Sequence, residues 1–382
     1  MKLSERAKQT PPSGIRRFFE IAEEMDDVIS LGVGEPDFSA PWAARRAAID
    51  SLEQGKTSYT SNRGMRELRE EISEHVRRYD LDYDAEDEIL VTTGVSEAVD
   101  LAMRALVDPG DTVAVVEPAY ISYGPDASFS GGETLSVPTR AEDEFRLTYD
   151  ALADAGAEDA EVLVMCFPNN PTGAVMTEDD LVEVADFAKE HDLAVLSDEV
   201  YAALTYGDDH TSIATLPGMR ERTLVFNGFS KAYAMTGLRL GYAMGPPEVV
   251  DAMNRIHQYT MLSAPTTAQH AALEALRTCD EDVVSMREQY NRRRRFVLSR
   301  FEEMGMDCFE ARGAFYVFPR CGGDDEQFAE ELLREEGVAV VPGRVFAESG
   351  EGHLRISYAR SLSELREAMN RIESFYEDWE AE

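Results

Sequence analysis

The sequence GFSKAYAMTGLRLG, residues 228–241, combines a glycine-rich loop with one lysine and one arginine. The apolar run 224–226 precedes it and predicts a buried strand that ends at the loop. Lys231 is one of only five lysines in the chain, and it alone follows such a strand in a glycine-rich loop. A lysine amine held in this way can form a Schiff base with a carbonyl group. Arg239 lies eight residues further on and is suited to bind a phosphate.

The pairing of Lys231 with Arg239 suggests a small ligand that carries both a carbonyl and a phosphate. Pyridoxal 5'-phosphate (PLP) has both groups, and the loop therefore predicts a PLP site. The alternative interpretation is a surface loop in which Lys231 is solvated. A single motif of this kind is a hypothesis, so the other stretches of the chain bear on the choice.

The composition excludes several classes of protein. The 382 residues can bury a large core, and a hydrophobic content of 43% is ordinary for a globular enzyme. There are 74 acidic against 37 basic residues, which gives a formal net charge of −37, and the acidic residues are spread along the chain. Repulsion therefore disfavours binding to nucleic acid or to an anionic membrane surface. Many acidic residues with few lysines predict a halophilic protein, because molar salt screens charges beyond about 3 Å.

The cysteines and histidines show no metal-binding pattern. The four cysteines have no close pairing or zinc spacing, which predicts free thiols in a reducing cytosol. The six histidines have no ligand spacing, so we expect no metal. No stretch approaches the roughly 18 apolar residues of a membrane span. We therefore expect a cytoplasmic protein that does not bind membranes.

Several apolar runs alternate with helical patterns along the first two thirds of the chain. The runs predicted as strands are 88–91, 112–116, 162–166, 193–196 and 224–226. Continuously apolar strands that alternate with helices predict an α/β fold, with a mainly parallel sheet covered by helices on both faces. Ligands bind beyond the carboxyl ends of such strands, which is where the polar motifs of this chain occur.

The strand that ends near Thr92 is followed by Gly94, Val95 and Ser96. A strand, a glycine and then a helix is the arrangement in which the free N–H groups of a helix N-terminus bind an anion. The alternative is a plain turn between a strand and a helix. The sequence at this point leaves both interpretations open.

Beyond residue 263 the pattern changes to long helices and short strands, which predicts a smaller α+β domain. We expect a large domain at 41–270 and a small domain formed by 1–40 and 271–382. A short amphipathic helix is predicted around Phe18 and Phe19. The basic cluster 292–295 is interpreted as a solvated helix face.

Three motifs in order along the chain are specific. They are Asn170-Pro171-Thr172-Gly173, Asp198-x-x-Tyr201, and Ser230-Lys231 followed by Arg239. Together they resemble the fold type I PLP-dependent enzymes, specifically the class I aminotransferases, over nearly the whole chain. The stretches 142–147 and 227–236 look most similar to archaeal aromatic-type aminotransferases of the subgroup that also holds many aspartate aminotransferases. The resemblance implies an aminotransferase that follows a ping-pong PLP mechanism.

The resemblance also implies roles for residues around the cofactor ring. Lys231 would hold PLP and shuttle a proton, and Asp198 would pair with the pyridine nitrogen. Tyr201 and Asn170 would hydrogen-bond the 3'-oxygen of the cofactor. Tyr120 would stack on the ring. Considered alone, Asp198 is also compatible with a helix N-cap, and Tyr201 with a core aromatic residue.

The remaining implied contacts are with the phosphate and the substrate. The residues assigned to the phosphate are Val95, Ser96, Ser230, Arg239 and, from the neighbouring subunit, Tyr59. The reach of Tyr59 implies a homodimer. The α-carboxylate of the substrate would be bound by Arg355, with Gly34 and Asn170 beside it. Considered alone, Arg355 is also compatible with a surface strand position.

The side-chain specificity is less determined than the reaction. In one aspartate-using subgroup a lysine stands at the position of Ser96, and here that position is neutral. Tyr59, Tyr259 and Phe315 are candidates to line a pocket for an aromatic side chain. We expect an aromatic or broad amino donor and an oxo acid such as 2-oxoglutarate as acceptor, with aspartate aminotransferase as the alternative. A carbon–sulfur β-lyase on the same scaffold is a further alternative. A non-catalytic regulator that binds both PLP and DNA would need a basic DNA-binding segment, which this acidic chain does not offer.

Overall fold

The computed structural model describes residues 3–10, 12, 14, 25 and 27–379. The helix predicted around Phe18 and Phe19 lies outside the described residues. The described strands are β1 (Ile29–Ser30), β2 (Ile89–Thr92), β3 (Thr112–Glu117), β4 (Glu133–Pro138), β5 (Val162–Cys166), β6 (Ala194–Asp198), β7 (Thr223–Gly228), β8 (Gly241–Met244), β9 (Tyr316–Val317), β10 (Val338–Ala339), β11 (Val341–Pro342) and β12 (Leu354–Ser357).

The α-helices alternate with these strands and then dominate the C-terminal third. They are α1 (Glu5–Gln9), α2 (Trp42–Glu53), α3 (Arg66–Val76), α4 (Val95–Leu106), α5 (Tyr123–Ser130), α6 (Tyr149–Ala155), α7 (Glu178–Glu190), α8 (Pro247–Thr260), α9 (Thr266–Thr278), α10 (Asp280–Met304), α11 (Asp325–Glu336) and α12 (Leu362–Trp379). The capping box of α7 shows how the sequence sets such a boundary. The Thr177 hydroxyl accepts from the Asp180 amide, and the Asp180 carboxylate accepts from the Thr177 amide.

Within the described ranges, seven strands form one sheet in the order β2-β8-β7-β6-β5-β3-β4. The pairs from β4 across to β7 are parallel, and β8 runs antiparallel to both β2 and β7. This confirms the predicted mainly parallel sheet. The sequence pattern did not predict β4 or β8. β4 is an edge strand with mostly exposed side chains, so it has no apolar run.

Both faces of this sheet are buried, as the continuously apolar strands predicted. Alternate side chains of β3 point to opposite faces. Val113 and Val115 belong to the apolar cluster that includes α4 and α5. Ala114 and Val116 belong to the cluster that includes α6 and α7. The sheet is therefore a covered layer whose carboxyl edge is where ligands have access.

The C-terminal third forms a second sheet with its own helices. β9, β11 and β12 pair antiparallel in the order β11-β12-β9, and β1 pairs parallel with β10. The helices α10 and α12 pack beside them through side chains such as Tyr290, Phe301 and Ile372, which are buried in one cluster. The N-terminal strand β1 is thus built into the C-terminal part of the fold.

The prediction of a solvated face at 292–295 is wrong for its two central residues. Arg293 and Arg294 are buried. Arg293 pairs with Asp37 at 2.7 Å, and Arg294 donates to the carbonyl oxygen of Ala311 at 2.9 Å. Four consecutive arginines span more than one helix face, so only part of the cluster reaches solvent.

None of the helices in the described ranges is long and apolar enough to cross a bilayer. The four cysteines are free thiols. In the part of the chain that the structure describes, no group of three or more His, Cys, Asp or Glu side chains is arranged to hold a metal ion.

Candidate active site

A cavity of about 1000 Å³ lies at the carboxyl edge of the central sheet. β5, β6 and β7 end beside it, α4 begins beside it, and β12 and the loop after β1 contribute further walls. This is the edge at which parallel α/β sheets bind ligands. The residues predicted from the sequence that line it are Gly34, Val95, Ser96, Tyr120, Asn170, Asp198, Tyr201, Ser230, Lys231, Arg239 and Arg355.

Lys231 stands just beyond the end of β7. Its Nζ donates a hydrogen bond to the carbonyl oxygen of Gly34 at 2.6 Å. The rings of Tyr201 and Phe315 are centred 5.8 and 5.7 Å from the same nitrogen. Burial lowers the pKa of Lys231 to about 8, and the carboxylate of Glu35 opposes this shift. Near neutral pH, therefore, a larger fraction of this amine is unprotonated and nucleophilic than in an exposed lysine.

Asp198 is the last residue of β6 and is almost completely buried. The Tyr123 hydroxyl donates to its Oδ2 at 2.7 Å, and the Val200 amide donates to its Oδ1 at 3.1 Å. Burial raises the pKa of Asp198 to about 6, and the two hydrogen bonds oppose the shift. At neutral pH this side chain is a buried carboxylate, which is suited to face a positive charge on a ligand.

The N-terminus of α4 and Arg239 together form an anion site. A Cβ at Gly241 would lie 2.7 Å from the Val95 amide nitrogen, so glycine is required where β8 passes the start of the helix. A Cβ at Gly94 would lie 2.9 Å from Arg239 Nη2, so the guanidinium lies directly beside the helix N-terminus. Within the described residues, Arg239 donates only to the carbonyl oxygen of Thr236 and has no carboxylate partner. Free helix N–H groups beside an unpaired guanidinium favour a bound phosphate.

The turn at 169–173 is held by its own side chains. Asn169 Oδ1 accepts from the Thr172 amide at 3.0 Å and from the Thr172 hydroxyl at 2.8 Å. This rigid turn presents Asn170 to the cavity, where its Oδ1 accepts from Arg355 Nη1 at 3.0 Å. The motif therefore orients one amide side chain and, through it, the arginine.

Arg355 projects from β12 and is 3% exposed. Its Nη2 donates to the carbonyl oxygen of Gly32 at 2.6 Å, and the rings of Tyr316 and Phe346 are each centred 4.8 Å from its Cζ. Its Nε has no hydrogen-bond partner within the described part of the chain. A buried guanidinium that is oriented by neutral groups is suited to bind a ligand carboxylate through two N–H groups.

Some predicted residues lie elsewhere. Tyr59 is 79% exposed and does not line the cavity of the single chain. Tyr259 is 91% exposed, and Phe315 is fully buried behind the cavity. In the single chain, the aromatic residues that do line the cavity are Tyr120, Tyr123, Tyr201 and Tyr316.

Sequence reasoning missed Tyr123, Tyr316 and Glu35. Tyr123 contacts Asp198, Tyr316 contacts Tyr201, and Glu35 acts on the charge of Lys231. Tyr316 directly follows the predicted Phe315, but of the two only Tyr316 lines the cavity. Phe315 lies in the turn before β9, and its ring centre is 4.8 Å from that of Tyr316. The sequence of the turn before this strand did not indicate which of the two aromatic side chains would line the cavity.

A family model for aminotransferase class I and II matches residues 26–372. The chain belongs to this family. It is 44% identical to the aspartate aminotransferase of Pyrococcus abyssi, over 98% of both chains. It is 42% identical to the aromatic-amino-acid aminotransferase 2 of Thermococcus litoralis, also over 98% of both chains. It matches the structure of the aspartate aminotransferase from Thermus thermophilus with maleate at a TM-score of 0.93 and 39% identity, over 98% of this chain and 100% of the other.

This class I and II aminotransferase has the fold type I architecture and is a PLP-dependent transaminase. The cavity fits PLP by the chemistry of its side chains. A buried carboxylate at Asp198 suits a protonated pyridine nitrogen, and the anion site suits a phosphate. The lowered pKa of Lys231 suits an amine that bonds to an aldehyde.

Proposed function

We propose that this transaminase transfers an amino group from an aromatic amino acid, or from a broad range of L-amino acids, to a 2-oxo acid such as 2-oxoglutarate. The observation that carries the proposal is the cavity that Lys231 and Arg355 share. One of these side chains supplies an amine for proton transfer, and the other supplies a binding site for an α-carboxylate. When bound, PLP would supply an electron sink that stabilises negative charge at the substrate Cα.

The residues of the chain would bind and orient the cofactor. Asp198 would pair with the ring nitrogen and keep it protonated, with Tyr123 holding the carboxylate in place. Tyr201 and Asn170 would hydrogen-bond the 3'-oxygen, and Tyr120 would cover one face of the ring. The phosphate would be held by Val95, Ser96, Ser230 and Arg239. Each of these assignments is supported by a position on the cavity wall.

The proton transfer would be carried out at Lys231 Nζ. Once substrate occupies the site, this nitrogen would take the proton from the substrate Cα and deliver it to C4' of the cofactor. Arg355, with Gly34 and Asn170 beside it, would fix the α-carboxylate and thereby orient the Cα toward the amine. Burial of both groups excludes water, which strengthens these contacts.

The proposed donor preference rests on the charges of the cavity wall. Of the described lining residues, only Lys231, Arg239 and Arg355 are basic, and each already has a proposed role. The wall also includes Val28, Val33 and the neutral Ser96. An acidic side chain of the substrate would thus lack a charged partner from the described residues of this chain. Aspartate is a second candidate because the Pyrococcus abyssi relative is an aspartate aminotransferase. The proposed acceptor 2-oxoglutarate also carries a second carboxylate, so the site must accept one acidic substrate.

A half-reaction tests this proposal directly. Purified holoenzyme in high-salt buffer would be mixed with tyrosine, phenylalanine, aspartate, alanine or cysteine, and the cofactor absorbance would be followed. Fast conversion to the pyridoxamine form with tyrosine or phenylalanine supports the proposal. Conversion with aspartate alone would identify an aspartate aminotransferase. Release of pyruvate and ammonia from cysteine without any such conversion would identify a β-lyase instead.

The lowered pKa of Lys231 predicts how cofactor uptake depends on pH. The amine must be unprotonated to bond with an aldehyde, and an amine with a pKa of about 8 loses its proton well below the usual pH range of lysine. The rate of PLP uptake by the cofactor-free protein should therefore rise with pH around a midpoint near 8. The measurement is the growth of cofactor absorbance after mixing, between pH 6 and pH 10. A midpoint near that of free lysine would contradict this prediction.

We further propose a homodimer in which Tyr59 reaches the site of the neighbouring subunit. Large apolar side chains are exposed on α2, on the loop after α2, and on the last turn of α8 with the loop that follows it, namely Trp42, Ile49, Leu52, Tyr59, Tyr259 and Met261. The two loops contact each other, because Asn62 Nδ2 donates to the carbonyl oxygen of Leu262 at 2.7 Å. Exposed apolar side chains on neighbouring segments favour burial against a second copy. Sedimentation should give the mass of two chains, and a monomer that is active would contradict the proposal.

The proposed domain division is 41–270 for the large domain and 1–40 with 271–382 for the small one. The pairing of β1 with β10 supports the grouping of the two ends. We also propose a cytoplasmic location, which the free thiols support because reducing compartments keep cysteines unpaired.

We propose that the protein is halophilic, on the basis of its formal net charge of −37. Repulsion between surface carboxylates extends over about 10 Å at 0.1 M salt and about 3 Å at 1 M. The thermal unfolding midpoint should therefore rise steeply between 0.1 and 2 M potassium chloride. Circular dichroism melts across this range measure the effect. An unfolding midpoint that does not change with salt would contradict the proposal.

A further inference from the structure

Tyr316 has no role in the function proposed so far, although it lines the cavity. It lies in β9, is fully buried, and its hydroxyl oxygen is 3.1 Å from the hydroxyl oxygen of Tyr201. Among the described residues, Tyr201 is the only hydrogen-bond partner of the Tyr316 hydroxyl. Either oxygen can donate in the isolated pair, so the direction of the bond depends on what else Tyr201 contacts.

The direction follows from counting protons. A tyrosine hydroxyl has one proton to donate and two lone pairs that accept. If Tyr201 donates its proton to the 3'-oxygen of the cofactor, its own oxygen can only accept from Tyr316. Tyr316 must then be the donor, and the two hydroxyls form a chain that points toward the cofactor.

The side chain of Tyr316 is fixed tightly enough to set this direction. Its ring lies against the guanidinium of Arg355, with the ring centre 4.8 Å from Cζ. Its hydroxyl lies so close to Gly34 that a Cβ there would be 2.6 Å away. Its backbone pairs with Ser357 of β12. The hydroxyl therefore has little freedom to turn away from Tyr201.

We propose that Tyr316 is a positioning residue for transamination, which donates to Tyr201 and thereby commits the Tyr201 proton to the 3'-oxygen of the cofactor. This inference rests on the proposed role of Tyr201. Hydrogen bonds in a chain polarise one another, so Tyr201 becomes a stronger donor. A stronger donor stabilises negative charge on the 3'-oxygen and makes the bound cofactor harder to protonate.

The test is a spectrophotometric pH titration of the holoenzyme without substrate. In the Tyr316→Phe variant, the pH at the midpoint of the cofactor's absorbance change should rise by roughly half to one unit. This is the size expected for loss of one neutral hydrogen bond. Tyr201→Phe should move the midpoint further, by about one to two units. In the double variant, Tyr316→Phe should add nothing to the shift of Tyr201→Phe, because it acts only through that side chain.

A matched control is Tyr358→Phe, which also removes a buried hydroxyl close to the site. The Tyr358 hydroxyl donates to the carbonyl oxygen of Ala314 at 3.0 Å and does not line the cavity. This variant should leave the midpoint unchanged. The inference is overturned if Tyr316→Phe leaves the midpoint unchanged while Tyr201→Phe shifts it, or if the two shifts add in the double variant. If Tyr201→Phe itself causes no shift, the proposed role of Tyr201 fails and the inference fails with it.

Discussion

Replacement of Lys231 by alanine should abolish amino-group transfer and leave the fold intact. The loss of a positioned acid–base group alone lowers rates by roughly 10²–10⁴-fold, and here the attachment point of the cofactor is lost as well. The fold should persist because, among the described residues, the Lys231 amine makes one hydrogen bond, to Gly34, and its burial disfavours the charged form.

Absorbance and turnover measured together test this prediction. Lys231→Ala should lose the absorbance of the lysine-bound cofactor and nearly all turnover, while its circular dichroism spectrum stays that of the parent protein. Lys189→Ala is the matched control, because Lys189 pairs with Asp186 on the surface at 2.9 Å. The control should keep full activity. A Lys231→Ala protein with the turnover of the parent would refute the proposed proton transfer.

Replacement of Arg355 by leucine should lower kcat/KM for amino acids by roughly 10²–10⁴-fold. Each charge-assisted hydrogen bond to a carboxylate contributes about 1.5–3 kcal/mol, and the guanidinium can form two of them. Arg355→Lys should recover only part of the loss, since an ammonium keeps the charge but not the two-pronged geometry. Cofactor binding should be little changed, because Arg355 is proposed to contact the substrate.

Steady-state kinetics at a fixed concentration of the 2-oxo acid measure the effect on kcat/KM. A cofactor titration measures the effect on cofactor binding separately. Arg320→Leu is a suitable control, because this arginine is half exposed and lies 3.7 Å from Asp307. It should leave kcat/KM unchanged. An Arg355→Leu enzyme that loses the cofactor but turns over normally when saturated with it would contradict the assigned role.

The central sheet could be predicted because its inner strands are recognisable as apolar runs in the sequence. β5 and β6 are apolar along most of their length, and each ends in a polar motif. β4 lacks this signal, since an edge strand exposes most of its side chains. β8 is short and begins at Gly241, the last residue of the glycine-rich stretch 228–241, so no separate apolar run marks it.

The candidate site was predictable where a residue lies at or just beyond the carboxyl end of a strand. Asp198 and Lys231 are examples, because the end of a parallel strand fixes where the next side chain can lie. Tyr316 and Tyr123 could not be found this way. Their contacts, to Tyr201 and to Asp198, join segments that are distant in sequence, and no local pattern encodes such pairs.

The pairing of β1 with β10 has a consequence for synthesis of the chain on the ribosome. Ile29 pairs with Val338, so β1 emerges long before the strand that completes it. At 5–20 residues per second this interval lasts roughly 15–60 s. During that time the central sheet can form, while the backbone of β1 stays unpaired and available to chaperones. The last step of folding should therefore be the return of the N-terminal strand to a nearly finished protein.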